Sequence, residues 1–171
     1  MAAGATYTPI ATQTVTGSAV NGITFTSIPQ TYTDLRFVIS GRGDSNSYMP
    51  LKINNDSSTL YSRTNLIGNG TTASSGRATG EPAMFVDTAD GSNASAVGTT
   101  IVDMMNYSNT TTFKTSLERA SNSIGASLGS VISWVFLYRS TNAITSLYFT
   151  GSSGSSIQVG TTITLYGIAA A

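Results

Sequence analysis

Residues 131–138 read Val-Ile-Ser-Trp-Val-Phe-Leu-Tyr, and this stretch decides the fold class. β-Branched and aromatic residues follow one another almost without interruption, and such residues favour strands because they pack well on a pleated surface. Residues 121–130 before it are mostly small, which predicts a flexible segment, and Thr141-Asn142 after it predict a turn. We therefore expect residues 131–138 to form a β-strand.

The same pattern of short strands and turns continues in both directions. We expect about ten strands, within residues 23–27, 35–39, 49–53, 60–67, 83–87, 99–107, 113–117, 131–138, 144–150 and 157–168. The clearest loop is residues 68–82, and no segment strongly predicts a helix. Strands at this spacing are typical of sandwiches and barrels. The chain is thus predicted to be all-β, with two antiparallel sheets in one domain of residues 1–171 and short flexible arms at residues 1–8 and 169–171.

Alternate residues of the predicted strands supply a core of sixteen large side chains. They are Phe25, Leu35, Phe37, Ile39, Leu51, Ile53, Val102, Met104, Leu117, Ile132, Trp134, Phe136, Leu147, Phe149, Ile163 and Leu165. Burial of each stabilises the fold by roughly 1.5–3 kcal/mol. A core of this size can form without disulfides or a metal.

The composition indicates a surface made for contact with other proteins. Charged residues make up 9% of the chain, against roughly 25% in ordinary globular domains. Ser and Thr account for 52 of the 171 residues, and hydroxyl groups are less costly to cover than ionised groups. The alternative is compositional drift in a β-rich protein. The formal net charge is 0 with no polybasic run, so binding to nucleic acid or to an anionic membrane surface is not expected.

The absence of two residue types limits the available chemistry. The chain has no cysteine and no histidine, which excludes disulfides, thiolate catalysis and Ser-His-Asp triads. Zinc is not expected, since its sites almost always use Cys or His. The first ten residues lack the pattern of a secretory signal, and no apolar run reaches about 18 residues. We expect a protein without cofactor or enzymatic activity that is made in a cytoplasm and stays soluble or assembles there.

Asp87 and Asp90 are the strongest candidates for a chemical role. They flank a predicted turn, and two carboxylates at suitable separation can hydrolyse glycosides. The same pair with Asn93 offers oxygen ligands for calcium, although the spacing matches no EF-hand. The structural alternative, which we favour, is that Asp90 caps the Asp-Gly turn and Asp87 ends a strand. No catalytic, cofactor or metal residues are therefore assigned.

Three further patterns also have a structural interpretation. Asp103 and Lys114 are predicted to approach each other across a hairpin, as an ion pair that fixes register. Arg42-Gly43-Asp44 matches an integrin-recognition tripeptide, but Gly-Asp is also a natural turn between strands. Five tyrosines could stack on sugars, although strands commonly contain tyrosine. They are Tyr48, Tyr61, Tyr107, Tyr138 and Tyr148.

Four regions together resemble a group of small structural proteins of tailed bacteriophages, known among marine phages and cyanophages. The first is residues 3–10, the second residues 25–29 followed by 32–35, and the third residues 106–110 leading to 113–115. The fourth and most characteristic is residues 144–148 and then residues 160–168, which read Gly-Thr-Thr-Ile-Thr-Leu-Tyr-Gly-Ile. None of them is a catalytic motif.

The resemblance implies a jelly-roll-like sandwich located in a virion. We expect a capsid decoration or cement protein that contacts the major capsid protein or other virion proteins and forms a homo-oligomer, with a trimer favoured. The alternative is a tail, neck or fibre component that binds a host surface polysaccharide. In either case, assembly would take place in the bacterial host cytoplasm.

Overall fold

The fold is an antiparallel β-sandwich, described by a computed structural model for residues 6–43, 48–88, 95, 97–124 and 128–169. Its strands are β1 (Tyr7–Thr14), β2 (Gly22–Phe25), β3 (Asp34–Gly41), β4 (Tyr48–Ile53), β5 (Tyr61–Gly68), β6 (Ala73–Glu81), β7 (Met84–Asp87), β8 (Gly98–Met105), β9 (Lys114–Ile124), β10 (Leu128–Tyr138), β11 (Leu147–Thr150) and β12 (Thr162–Ile168). In this part of the chain the only helix is one 3₁₀ turn at Ser152–Gly154, and no helix is long and apolar enough to cross a membrane. The predicted all-β sandwich is confirmed.

The two sheets are unequal in size. The large sheet has eight strands in the order β1-β12-β3-β8-β9-β10-β5-β6, and the small sheet has four in the order β2-β11-β4-β7. All pairings between neighbouring strands are antiparallel. Since four strands cannot cover eight, the outer strands of the large sheet extend beyond the small sheet.

The core lies between the small sheet and the central strands of the large one. Phe37 of β3 meets Phe149 of β11 edge-to-face, with 5.5 Å between ring centroids, and this contact joins the two layers. Of the sixteen predicted core residues, all but Leu117 are buried. The core also includes Met49, Tyr61 and Tyr107, which were not predicted.

Leu117 was predicted to lie in the core, and this prediction was wrong. The face of β9 that carries Leu117 points away from the small sheet. Leu117 is 41% exposed, while its neighbours Ser116 and Glu118 are buried. Successive side chains of a strand point to opposite faces, so Leu117 cannot be buried when Ser116 and Glu118 face the core. The inner face of β9 instead carries Lys114, Ser116, Glu118 and Ala120.

Three predicted irregular segments contain strand. The predicted loop at residues 68–82 is a tight turn followed by β6, and much of the predicted flexible segment at residues 121–130 belongs to β9 and β10. The predicted amino-terminal arm overlaps β1, which begins at Tyr7 and pairs with β12. β6 was missed because most of its side chains are exposed and none is buried, which leaves no alternating hydrophobic signal.

Candidate functional site

The outer face of the large sheet, meaning the side that faces away from the small sheet, carries exposed apolar side chains. Four of them, on neighbouring strands, form what we call the apolar strip: Leu66, Leu117, Val131 and Val135, with exposures of 63%, 41%, 74% and 50%. They lie on β5, β9 and β10. Isolated exposed apolar residues are ordinary, but contiguous ones mark interaction surfaces.

The strand register makes the strip continuous. Leu117 is directly opposite Val135 across β9 and β10, and Leu66 is directly opposite Ser133 across β5 and β10. Leu66 is therefore a diagonal neighbour of both Val131 and Val135. Direct cross-strand neighbours are about 5 Å apart and diagonal ones about 7–8 Å, within reach of large side chains.

A shallow apolar groove lies at one end of the strip. Its volume is about 370 Å³, and Leu66 and Val131 contribute to its walls. Gly68 and Ala73 also line it, and a Cβ placed on Gly68 would meet no atom within 4 Å. The groove is therefore open enough to receive a large side chain.

Charged residues flank the strip and are predominantly basic. Asp103 lies opposite Leu117, and Arg36 holds it with two hydrogen bonds of 2.5 and 2.8 Å. The Nη2 atom of Arg119 is 3.9 Å from Asp103, and Arg77 is exposed on β6 in the same row as Val135. Arg36 and Arg119 thus both lie beside Asp103, whereas Arg77 is four strands away from it.

This arrangement replaces the predicted Asp103–Lys114 pair, which was wrong. Asp103 faces outward with the arginines, whereas Lys114 faces the core. The Lys114 Nζ donates to the backbone carbonyls of Asn109, Thr112 and Thr141 at 2.5, 2.8 and 3.2 Å. Burial lowers the pKa of Lys114.

The exposed edge at β6 differs from the other sheet edges. β1 carries Pro9 and an irregularity next to it, while β2 and β7 are only four residues long. All three features discourage further strand pairing. β6 is nine residues long without proline, and its register is interrupted only near its end, where Gly80 has a φ of +70°.

Asp87 belongs to a buried carboxyl pair that the sequence did not reveal. Its backbone N–H donates to Glu118 Oε1 at 2.9 Å, and both side chains are buried, with exposures of 5% and 0%. Burial and the neighbouring Asp87 carboxyl raise the pKa of Glu118 well above its usual value. A proton is therefore favoured on Glu118 in the folded state. The two carboxyl groups are enclosed in the sandwich rather than displayed to a substrate.

The remaining partners proposed for Asp87 cannot be placed. Asp90 and Asn93 lie outside the described residues, so the catalytic and calcium hypotheses stay predictions. Within the described part of the chain, no three acidic, histidine or cysteine side chains form a metal-binding group. Of the Arg42-Gly43-Asp44 tripeptide, Gly43 forms a β-bridge with Ile157, and Asp44 lies outside the described residues.

Most of the predicted sugar-stacking tyrosines are structural. Tyr61, Tyr107 and Tyr138 are buried, and the rings of Tyr61 and Tyr138 stack with centroids 4.7 Å apart. The Tyr138 hydroxyl donates to Asp56 at 2.7 Å, and the pKa of Tyr138 is raised to about 12, chiefly by burial. Only Tyr48 and Tyr148 are half-exposed.

Tyr48 instead belongs to a small aromatic pocket near the edge of β7. The pocket has a volume of about 120 Å³ and is lined by Tyr48, Arg63, Phe85 and Trp134. The Tyr48 and Phe85 rings meet edge-to-face at 5.2 Å, and the Arg63 guanidinium is 4.9 Å from the Trp134 ring and 5.2 Å from the Phe85 ring. Glu81 holds Arg63 in place at 3.2 Å. Aromatic surface beside fixed polar groups is a common feature of ligand sites.

Comparison with known proteins adds no family assignment. The chain matches no protein-family model, no curated protein and no solved structure.

Proposed function

We propose that the chain is a structural protein that acts through protein–protein contacts, and that its setting is a bacteriophage virion. The observation that carries the first part is the apolar strip on the uncovered face of the large sheet. Leu117 is the strongest single indication, because β9 presents this leucine outward and directs Glu118 inward. A strand that exposes its leucine and buries its glutamate is better explained if a partner covers the outer face.

The composition supports the same proposal. A surface rich in Ser and Thr, with 9% charged residues, loses little hydration when a partner covers it. The virion setting rests on the sequence resemblance to phage structural proteins. Within a virion we favour capsid decoration, in which the protein binds assembled major capsid protein and stabilises the shell by mass action.

The test is to locate and count the chain in purified phage particles. Quantitative mass spectrometry is expected to give a copy number close to that of the major capsid protein, and cryo-EM is expected to place the sandwich on the head. Copies confined to the tail or neck would contradict decoration. Absence from particles of a phage that encodes the chain would contradict the virion proposal.

A matched pair of variants tests the contact surface. Leu117→Ser combined with Val135→Ser removes part of the strip, and we expect the double variant to be lost from particles on washing. Val159→Ser is the control, because Val159 is 46% exposed but lies outside the strip, in the turn before β12. Equal retention of both proteins would show that the strip is not the contact surface.

The aromatic pocket favours a second candidate function, binding of a host surface polysaccharide. Trp134 is the only tryptophan, so its fluorescence reports on this pocket directly. Titration with host polysaccharide is expected to change the emission of the native protein but not that of a Tyr48→Ala, Phe85→Ser variant. Tyr148→Ala serves as the control. Unchanged native emission, together with no heat of binding, would exclude this candidate.

A further inference from the structure

We propose that two copies of this chain pair through their β6 strands, antiparallel and about a two-fold axis at Gly76, and so join their large sheets into one. β6 is the last strand of the large sheet, and among the described strands only β5 pairs with it. A long edge strand is a template for pairing, and β6 lacks the proline of β1 and the short length of β2 and β7. The proposal goes beyond the proposed function, because it concerns an edge of the large sheet and not the apolar strip on its face.

Alternate residues of β6 direct their main-chain groups away from β5. In an antiparallel pair of strands, every second pair of opposite residues exchanges both hydrogen bonds, and the residues between them direct N–H and C=O outward. The Asn69 N–H donates to the Thr72 carbonyl at 3.2 Å, so the even-numbered residues that follow in the regular part of β6 bond to β5. The residues whose N–H and C=O groups point to the open edge are Ala73, Ser75, Arg77 and Thr79.

The other side of β5 gives the same alternation. The Arg139 N–H donates to the Leu60 carbonyl at 3.0 Å, so the even-numbered residues of β5 bond to β10. The odd-numbered residues of β5 therefore bond to β6, where they are opposite its even-numbered residues, as Arg63 is opposite Ala78. Two separate hydrogen bonds thus assign the same four residues of β6 to the open edge.

The regular part of β6 matches itself in one register. It runs from Ala73, after the turn, to Thr79, before the irregularity near the end of the strand, and its midpoint is Gly76. A two-fold axis at Gly76 places Ala73 opposite Thr79 of the second copy, and Ser75 opposite Arg77. All four edge residues of each copy then exchange both hydrogen bonds with the other copy. An axis moved by one residue in either direction loses one of these four pairs.

Charge and side-chain size favour the same register. Arg77 is the only charged residue between residues 73 and 79, and like charges directly opposite each other on two strands are destabilising. The axis at Gly76 places each Arg77 opposite a serine, whereas an axis at Arg77 would place the two arginines opposite each other. The other residues of this segment are Ala, Ser, Gly and Thr, so the two backbones can approach without a clash.

The joined sheet keeps both apolar strips on one side. Residues opposite each other on paired strands point to the same face of a sheet. Ser75 and Arg77 both lie on the outer face, where they are opposite Leu66 and Thr64 of β5. The outer faces of the two copies are therefore on the same side, and one partner surface can cover both strips. This continuity is the reason to assign a second copy, and not a strand of another protein, to the edge.

Single cysteine variants test the register, because the native chain contains no cysteine. The axis at Gly76 places Ser74 opposite Ala78 of the second copy, as a non-hydrogen-bonded pair with Cα atoms about 4.5 Å apart. Ser74→Cys and Ala78→Cys proteins are prepared separately, then mixed and oxidised, and the mixture is expected to give a disulfide-linked dimer. Neither variant alone should cross-link, because its two cysteines are four residues out of register, about 13 Å at roughly 3.3 Å per residue. A mixture that does not cross-link, or that cross-links no better than either variant alone, would overturn the proposal.

Matched substitutions of Ser75 separate the main-chain contact from the side chain. Proline at this position removes an N–H that points to the open edge, so the hydrogen bonds to β5 are kept. Ser75→Pro is expected to raise the dissociation constant of the dimer at least tenfold in sedimentation equilibrium, whereas Ser75→Ala should leave it nearly unchanged. Circular dichroism verifies that both variants are folded. Equal association of the two variants would contradict pairing through β6.

Amide hydrogen exchange gives a measurement on the unaltered protein. The N–H groups of Ser75, Arg77 and Thr79 are expected to exchange quickly in dilute solution and at least tenfold more slowly when the protein is concentrated. A native protein that stays monomeric up to its solubility limit would overturn the proposal. Monomers that are retained in phage particles would refute the β6 junction alone, whereas dimers absent from every particle would refute the virion role alone.

Discussion

Glu118 makes the stability of the folded state depend on pH. The folded state raises its pKa, so folding favours the protonated carboxyl. This stabilising contribution is fully present below the ordinary pKa of a glutamate and is lost as the pH rises through the raised value. Titration of Glu118 is therefore expected to make the protein less stable from mildly acidic to neutral pH.

Replacement of Glu118 by Gln should remove this dependence. The Gln side-chain oxygen can still accept the Asp87 N–H, but the side chain cannot ionise. At neutral pH we expect Glu118→Gln to raise the free energy of unfolding by roughly 1–3 kcal/mol, the usual range for relieving a buried polar defect. Below the ordinary glutamate pKa the variant and the native protein should be similar. Urea unfolding of the variant and of the native protein across this pH range measures the stability difference at each pH.

Glu81→Gln is the matched control for that experiment. Glu81 is a partly exposed strand residue that pairs with Arg63, so its loss should cost about 1 kcal/mol or less. If both variants respond to pH in the same way, the carboxyl pair is not the source of the effect.

Lys114 is a buried cation that donates hydrogen bonds to backbone carbonyl groups. Its Nζ satisfies three carbonyl groups in the segments that follow β8 and β10. Lys114→Met keeps the length of the side chain but leaves these acceptors without their donor. We expect the free energy of unfolding to fall by at least about 1–3 kcal/mol, measured by urea denaturation. Lys52→Met, at a half-buried site on β4, should have a much smaller effect, and equal losses would contradict the assigned role.

At the scale of elements, β6 is expected to be the least protected strand of the large sheet. It buries no side chain, and only β5 pairs with it. Hydrogen exchange should therefore be fast along β6 and slow along β3, which is paired on both sides and has four buried residues. Equal protection of the two strands in dilute protein would contradict this expectation.

The elements also show where prediction from the sequence succeeds. β3 and β10 were predicted because their buried residues are large and apolar, and burial is what hydrophobic patterns report. β6 could not be predicted, since its residues are small and polar on both faces and only its pairing with β5 makes it a strand. Its connecting turn did contain a readable signal, because the Asn69 side chain accepts from the N–H groups of Thr71 and Thr72.

The apolar strip was missed for a related reason. Leu117 was assigned to the core because an apolar residue in a strand is more often buried than exposed. The choice of face depends on which residues oppose β9 in the sheet, and those belong to strands distant in sequence. The burial of Glu118 was not predicted for the same reason, because a local pattern would place a glutamate in solvent. The face of an amphipathic strand is thus a tertiary property, even where the strand itself is locally encoded.

The face assignment can be tested by stability alone. Leu117→Ser should change the free energy of unfolding by about 0.5 kcal/mol or less, as expected for an exposed site. Leu35→Ala, on the fully buried side of β3, should lower it by about 2–5 kcal/mol. Thermal or urea denaturation of the dilute protein compares the two variants directly. A large loss of stability in Leu117→Ser would show that Leu117 is buried in the core after all.

At the scale of the whole molecule, the absence of histidine makes the net charge insensitive to pH near neutrality. Eight basic and eight acidic residues balance, and no side chain with an ordinary pKa titrates between about pH 6 and 8. Long-range repulsion between copies should therefore stay small throughout this interval.

Association with a partner through the apolar strip should follow this charge profile. Retention of the native protein in particles is expected to be constant from pH 6 to 8, because the charges of this chain change little in that interval. High salt at neutral pH should weaken the association only partly, because salt screens the outer-face arginines but not the contact of the apolar side chains. Complete release from particles in high salt would show that charged groups, and not the apolar strip, hold the partner.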